Sequence, residues 1–523
     1  MSAGERSFDV PAGAQVCVIG AGLMGIGIAQ IAAQAGDPVL LFDQREGAVE
    51  DALRKLRQQL AKLVERGRMD AALAQQTLDR IRPAQDLAQA QGSRIVIEAI
   101  VEDAAVKRDL LASLEGIVPG DCILASNTSS ISITALANDM RHPERLVGMH
   151  FFNPVPAMRL VEVVSGLKTD TRVAVAVERL GARWGKTPVH ARSTPGFIVN
   201  RIARPFYAEA LNVLTERAAT PADIDRCLRA ADFRMGPCEL MDLIGHDTNL
   251  AVTRSVFASN YGDRRFGPSL VQQELVDGGL LGRKRGEGFY RYDADQHIIA
   301  PPVPPEPATD WTPLETTIVL HGQGHFAQQM AARLAAAAVR VEHSLDSAWT
   351  GIETPQGQLR VTDGRTAAQL AHENRTSNLA LCDLTLPGAH GNGAAPAALA
   401  WSAAPGATPA WRAEVQAMLR FAGWAPVQTG DVAGLIVART IAMLINEACD
   451  AVLQGVCTED GADTAMQLGA NYPDGPFHWL RHWGAGPVVA VLDHLDAHYR
   501  GERYRASPAL RQRTYYHSKE RHA

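Results

Sequence analysis

Gly20-Ala21-Gly22-Leu23-Met24-Gly25 is a GxGxxG turn between a short apolar run and a helical stretch. Gly20 permits the tight turn, Gly22 admits the backbone to a pyrophosphate, and Gly25 lets helix and strand lie close. The helix N-terminus adds free N–H groups and the positive end of its dipole. Asp43, closing the next apolar run, can accept both ribose hydroxyls and repel a 2′-phosphate, which favours NAD over NADP. Arg45 is the feature that argues against that choice. Further along stand Ser126-Asn-Thr-Ser129-Ser130, His150-Phe-Phe-Asn-Pro-Val-Pro156, Glu162 and Asn200. A neutral imidazole suits proton abstraction near pH 7. A lone histidine before two phenylalanines is more often a core residue. Glu162 lies inside the apolar run LVEVV, where a carboxylate needs a buried partner.

These groups require a scaffold. Residues 15–19 read as a strand, 24–35 as a helix and 39–42 as a second buried strand, the order of a parallel βαβ unit. Residues 46–80 read as one or two charged amphipathic helices, and 94–97 and 122–125 as further strands. The alternation predicts a doubly wound α/β Rossmann domain over 11–194. From Pro195-Gly196 the pattern turns helical, giving an all-helical domain over 195–293. A proline-rich linker is expected over 294–313, its stiffest part at 300–313. A weaker, degenerate Rossmann-like α/β domain is expected over 314–428, starting with a strand at 316–320.

The chain's 523 residues exceed what one core serves, so several domains are required. A net charge of −6 argues against a nucleic-acid partner. The seven cysteines form no CxxC pair, which suits reduced thiols in the cytoplasm better than disulfides or a zinc site; no metal is expected. Cys122 and Cys227 read as small buried apolar residues. The N-terminus has no apolar signal segment, and no run approaches the ~18 apolar residues of a membrane span.

With the glycine turn, the motifs SNTSS and HFFNPVP, and Pro195-Gly-Phe-Ile-Val-Asn-Arg201, the sequence resembles the L-3-hydroxyacyl-CoA dehydrogenases of fatty-acid and related acyl-CoA breakdown. The resemblance runs over about 14–293 and ends on Gly286-Glu-Gly-Phe-Tyr290. It implies NAD as cofactor, an acyl-CoA substrate, and His150 as the base for the 3-hydroxyl proton, paired with Glu162. By the same resemblance Ser129 and Asn200 hold the reacting oxygens, Glu102, Lys107 and Lys284 lie near the cofactor, and Gln59 and Arg66 touch the CoA. Gln59 departs from the small hydroxyl residue expected there. The rival readings are an NAD-dependent dehydrogenase of a non-CoA hydroxy acid, and an NAD-binding structural protein that has lost activity.

The last segment repeats an earlier one. Gly434-Leu-Ile-Val-Ala438-Arg439 matches Gly196-Phe-Ile-Val-Asn200-Arg201, and Glu447, Thr458 and Asp463 fall where Glu209, Thr220 and Asp225 do. Residues 429–523 are therefore expected to be a second, inactive helical copy, with Ala438 replacing the catalytic amide. His321-Gly322-Gln-Gly324-His-Phe-Ala327 is a partial glycine turn without the downstream motifs. The expectation is an intramolecular pseudo-dimer, with further homo-oligomerisation left open. In architecture the chain resembles the long bacterial family members that act on 3-hydroxyadipyl-CoA in phenylacetate breakdown.

Overall fold

The computed structural model describes residues 8–299, 318–337, 339–386 and 396–520; the stretch 300–313 read as the stiff linker lies outside them. The chain divides into two bodies, Met1–Arg201 with Ala451–Ala470, and Ile202–Asp450 with Asn471–Ala523.

In the first body eight strands form one sheet. They are β1 (Val16–Ile19), β2 (Val39–Phe42), β3 (Ile81–Pro83), β4 (Ile95–Glu98), β5 (Ile123–Ser126), β6 (Leu146–Phe151), β7 (Leu160–Ser165) and β8 (Thr187–Arg192). Their order is β3-β2-β1-β4-β5-β6-β7-β8. All neighbours are parallel except β6 and β7. The runs VCVI and ILAS are buried along their whole length, as strands covered by helices on both faces must be. β6 is buried throughout and β7 except at Ser165, but Gly148, His150 and Glu162 interrupt their apolar runs and hide them from a hydropathy reading. The charged stretch after Asp43 forms two helices, Ala48–Glu65 and Ala71–Arg80. Asp70 starts the second by accepting the N–H groups of Ala72 and Leu73 at 2.8 and 3.1 Å. From the far end of the chain, helix Glu459–Gly469 packs on β7 and β8.

The second body holds both helical copies, apart from 195–201 and 451–470, and a second sheet. Its strands are β9 (Ile318–His321), β10 (Val341–Ser344), β11 (Gly351–Thr354), β12 (Gly357–Val361), β13 (Leu379–Cys382), β14 (Ala397–Ala403) and β15 (Trp424–Gln428), ordered β10-β9-β11-β12-β13-β14-β15. This sheet is mixed: β11 runs antiparallel to both β9 and β12, and β13 to β14. The cause is local. Only Pro355 and Gln356 separate β11 from β12, too few for a crossover, so the pair closes as a hairpin. Between β4 and β5 the first half instead carries helix Ala104–Glu115. The Rossmann-like pattern is thus present twice and reduced in the second half.

Within this body the helical copies bury polar and aromatic groups against each other. Arg439, fully buried, donates to Glu209 at 2.9 Å and to the Tyr504 hydroxyl at 2.6 Å. Arg265 donates to Glu447 at 3.0 Å and also pairs with Asp450. Phe206 and Phe233 pack on Tyr472, with ring centroids 5.5 and 5.1 Å apart. Burial pushes the Glu209 carboxyl upward, but the charges of Arg503 and Arg439 outweigh it and hold it below its ordinary range. Helix Pro221–Ala230 of the first copy lies on β14, as helix Glu459–Gly469 of the second lies on β7. The described residues contain no helix long and apolar enough to cross a membrane.

Candidate active site

The glycine turn leaves β1 and enters helix Leu23–Gln34 with Gly22 at its N-cap. Gly20 has φ +103, and an added Cβ would meet the Ala99 oxygen at 2.5 Å. A Cβ on Gly25 would fall 1.7 Å from the Gly20 oxygen, so no side chain is admissible there. A Cβ on Gly22 would meet nothing within 4 Å, which leaves open space where a pyrophosphate would approach. Asp43, next after β2, accepts the Ala21 N–H at 2.8 Å and so ties the turn to the second strand. Arg45 donates to the same carboxylate through its Nε and Nη2, both at 3.0 Å. The Arg45 hydrogen bond, helped by the Ala21 N–H and opposed by burial, lowers the Asp43 pKa to about 2. These residues fit a dinucleotide carrying free ribose hydroxyls.

Beside this turn lies a groove of ≈ 860 Å³ lined by Arg45, Lys55, Gln59, Lys62 and Arg66, among others. Gln59 and Arg66 therefore share one wall, as their spacing predicts. Lys55 and Lys62 add charge that the sequence reading did not single out.

Glu102 binds the serine loop. Its Oε1 accepts the backbone N–H groups of Ser129 and Ser130 at 2.9 and 3.1 Å, and their hydroxyls at 3.2 and 3.0 Å. Thr128 donates to it at 2.7 Å. Burial raises the Glu102 carboxyl, but the Thr128 bond and the Lys107 charge outweigh it and keep it low. Lys107 is buried and spans to Glu98, its Nζ 3.0 and 2.8 Å from the two oxygens. Glu98 also accepts from Ser126. Glu98 was missed in the sequence; its signal was the one that marked Glu162, an acid inside an apolar run. Asn127 Oδ1 accepts the Phe151 N–H at 2.9 Å and binds the serine loop to the end of β6. Lys186, whose pKa burial lowers to about 8, donates to the carbonyls of Val155 and Met158. Nothing in its sequence context marks it.

His150 and Glu162 face each other across the β6–β7 ladder. His150 Nδ1 lies 2.5 Å from Glu162 Oε2, with the two residues 5 % and 0 % exposed. The other carboxylate oxygen accepts the N–H groups of Ile198 and Val199 at 2.9 and 3.1 Å. One acid therefore fixes both the imidazole and the backbone at 198–199, just before Asn200. Nδ1 is committed to Glu162, and Nε2 makes no hydrogen bond among the described residues. Phe152 and Phe197 flank the ring, with centroids 4.5 and 5.8 Å away. Lys284 belongs to the second body, where it pairs with Asp247 at 2.5 Å. No group of acids, histidines and cysteines among the described residues could hold a metal.

The partial glycine turn in the second half is differently furnished. Ser344 pairs with His321 in the register where Phe42 pairs with Ile19, so Leu345 stands where the first half has Asp43. Trp349 is sandwiched between His321, with centroids 3.9 Å apart, and the Arg360 guanidinium, 4.3 Å from its ring.

Residues 15–194 match the family model described as the NAD binding domain of 3-hydroxyacyl-CoA dehydrogenase. The C-terminal domain model of that family matches twice, over 196–292 and 434–522. The reduced Rossmann-fold domain of 3-hydroxybutyryl-CoA dehydrogenase matches 359–432. A 3-hydroxyadipyl-CoA dehydrogenase of Escherichia coli K12 is 40% identical over 509 residues, 95% of this chain and 97% of that protein. A probable 3-hydroxybutyryl-CoA dehydrogenase of Bacillus subtilis is 42% identical over 280 residues, 53% of this chain and 97% of its own. The crystal structure of a 3-hydroxybutyryl-CoA dehydrogenase from E. coli K12 superposes with a TM-score of 0.86 at 38% identity, covering 98% of this chain and all of that one.

Proposed function

Because the chain belongs to the 3-hydroxyacyl-CoA dehydrogenase family and is an NAD-dependent enzyme of that activity, we propose that His150 and Glu162 perform its acid–base chemistry. The 2.5 Å contact between them, buried and crossing two strands, carries the reading. The Gly20–Gly25 turn and Asp43 would hold NAD, which when bound would accept the hydride from C3 of a (3S)-3-hydroxyacyl-CoA. His150 Nε2 takes the 3-hydroxyl proton. Glu162 keeps the proton of neutral His150 on Nδ1 and stabilises the imidazolium that forms. Ser129 and Asn200 orient the hydroxyl and the thioester carbonyl. Lys55, Lys62 and Arg66 offer charge to the CoA phosphates. Lys107 holds the cofactor end through Glu98 and Glu102.

The domain limits 11–194, 195–293, 294–313, 314–428 and 429–523 remain our division, with the two helical copies acting as an intramolecular pseudo-dimer. The buried Arg439–Glu209 pair and the aromatic cluster around Tyr472 support it. The likeness to a 3-hydroxyadipyl-CoA dehydrogenase along nearly the whole chain supports a role in phenylacetate-type acyl-CoA breakdown. The described cysteines are all free thiols, which supports a cytoplasmic setting.

NADH oxidation with acetoacetyl-CoA against free acetoacetate tests the substrate class, since equal rates would sink the CoA reading. A kcat/KM profile over 3-hydroxybutyryl-, 3-hydroxyhexanoyl- and 3-hydroxyadipyl-CoA tests the tail; preference for the shortest would refute the phenylacetate assignment.

A further inference from the structure

Helix Glu459–Gly469 belongs by sequence to the second helical copy, yet it groups with the first body. Its approach is anchored by polar bonds. The Arg192 N–H donates to the Val456 oxygen at 2.9 Å and its guanidinium to the Gln454 carbonyl at 3.1 Å. Arg201, nearly buried, donates to the Gln454 side chain at 2.9 Å. The helix then runs along β7 and β8 and ends at Gly469. A Cβ there would lie 2.5 Å from Leu160 Cδ2, 2.9 Å from Val199 Cγ2 and 3.6 Å from Phe152 Cζ.

Each of these three neighbours is one step from the reacting pair. Leu160 is two residues before Glu162 on β7, hence on the same face of the strand. The Val199 N–H donates to Glu162. The Phe152 ring rests on His150. We propose that Gly469 is a positioning residue for the reaction: its lack of a side chain lets Leu160, Val199 and Phe152 close behind the His150–Glu162 pair. The second half of the chain thereby supplies the back wall of the first half's active site. Leu160 and Val199 are buried, and closely packed interiors transmit a displacement of this size. A side chain at 469 would push Leu160 along β7 and tilt Glu162 away from His150 Nδ1.

This inference rests on the His150–Glu162 reading above. The test is Gly469→Ala in the full chain. Alanine is the better helix former, so a loss of function would come from the added volume and not from the helix itself. We expect kcat with acetoacetyl-CoA to fall at least tenfold, with KM and NADH affinity within twofold of the parent. A looser Glu162 stabilises the protonated imidazole less, so the acid limb of the pH–rate profile moves to lower pH. Adding Leu160→Val, which removes the Cδ2 that the new methyl meets, restores most of kcat. A kcat within twofold of the parent overturns the proposal. So does a loss in which kcat, NADH affinity and melting temperature fall together without rescue. Should Gly469→Ala not fold, Gln454→Ala frees the same segment from Arg201 without adding volume and is read out the same way, with the same kcat loss and acid-limb shift expected. If His150→Ala leaves kcat intact, the underlying reading fails first. If it abolishes turnover while Gly469→Ala changes nothing, only the present inference falls.

Discussion

In the first half Glu162, on β7, accepts the N–H groups of Ile198 and Val199 and holds His150 on β6. In the second half Asp383, at the end of β13, accepts those of Ile436, Val437 and Ala438 at 2.8, 2.7 and 2.9 Å. The registers make these positions comparable. Glu162 pairs with Val189 on β8, and Ala400 pairs with Val427 on β15. Val427 precedes Gly434 by the same number of residues as Val189 precedes Gly196. Ala400 therefore occupies the place of Glu162. The residue bonded across from Ala400 is Asp383, whose N–H donates to its carbonyl at 2.9 Å; Asp383 occupies the place of His150. Both turns need a buried acceptor, because unpaired N–H groups in a core are costly. The first half meets that need from the neighbouring strand and leaves room for an imidazole. The second half meets it with the strand that would have carried the imidazole, so the backbone is satisfied and no base remains. Loss of Asp43's counterpart and of Asn200, replaced by Leu345 and Ala438, goes with it.

The contrast can be broken most decisively at the histidine. His150→Ala should lower kcat roughly 10²–10⁴-fold, the scale of a positioned acid–base group, with NADH affinity nearly unchanged. A drop below tenfold would end the assignment. Glu162→Gln should lower kcat less and move the acid limb of the pH–rate profile.

The second half should fail by stability instead. Asp383→Ala leaves the turn at 436–438 without its acceptor, at about 1–3 kcal/mol for each unpaired N–H. A melting temperature lower by several degrees, with kcat per folded molecule unchanged, is the expected result. Unchanged melting would show that this carboxylate is dispensable. A chain ending near residue 295 removes the whole second half, Gly469 included. It should aggregate, or regain activity only as a homodimer; a fully active monomer with unchanged melting temperature would remove the pseudo-dimer from the picture.

Asp43→Ala should weaken NAD binding by about tenfold, the scale of one charge-assisted hydrogen bond, and narrow the preference over NADP. Arg45 lowers the Asp43 pKa to about 2. A lowered carboxylate keeps its charge above that value and loses it only as pH falls through it. NAD affinity of the intact enzyme should therefore be flat from pH 8 down to about 4. A decline centred on the ordinary carboxylate range would contradict the Arg45 pairing.

Local pattern made much of this molecule legible before any fold was known. The glycine turn, its flanking strands and helix, and Asp43 lie within one stretch of chain, where steric rules act between near neighbours. The repeat was equally plain, because Gly196-Phe-Ile-Val and Gly434-Leu-Ile-Val preserve a turn geometry that few residues satisfy. β6 and β7 were not visible, since Gly148, His150 and Glu162 interrupt their apolar runs. Glu98 and Lys186 escaped because an isolated charge reads as surface until its partners are known.

What the sequence determined by itself was the set of groups available for chemistry and the half of the chain that carries them. Only the tertiary structure decided that Glu162 serves His150 and the Asn200 turn at once, that Asp383 stands in the histidine's place, and that Gly469 closes on Leu160, Val199 and Phe152. Glycine turns and helix caps are set by neighbours in sequence. These pairings are set by strand register and by which helix covers which sheet, and they join residues far apart along the chain.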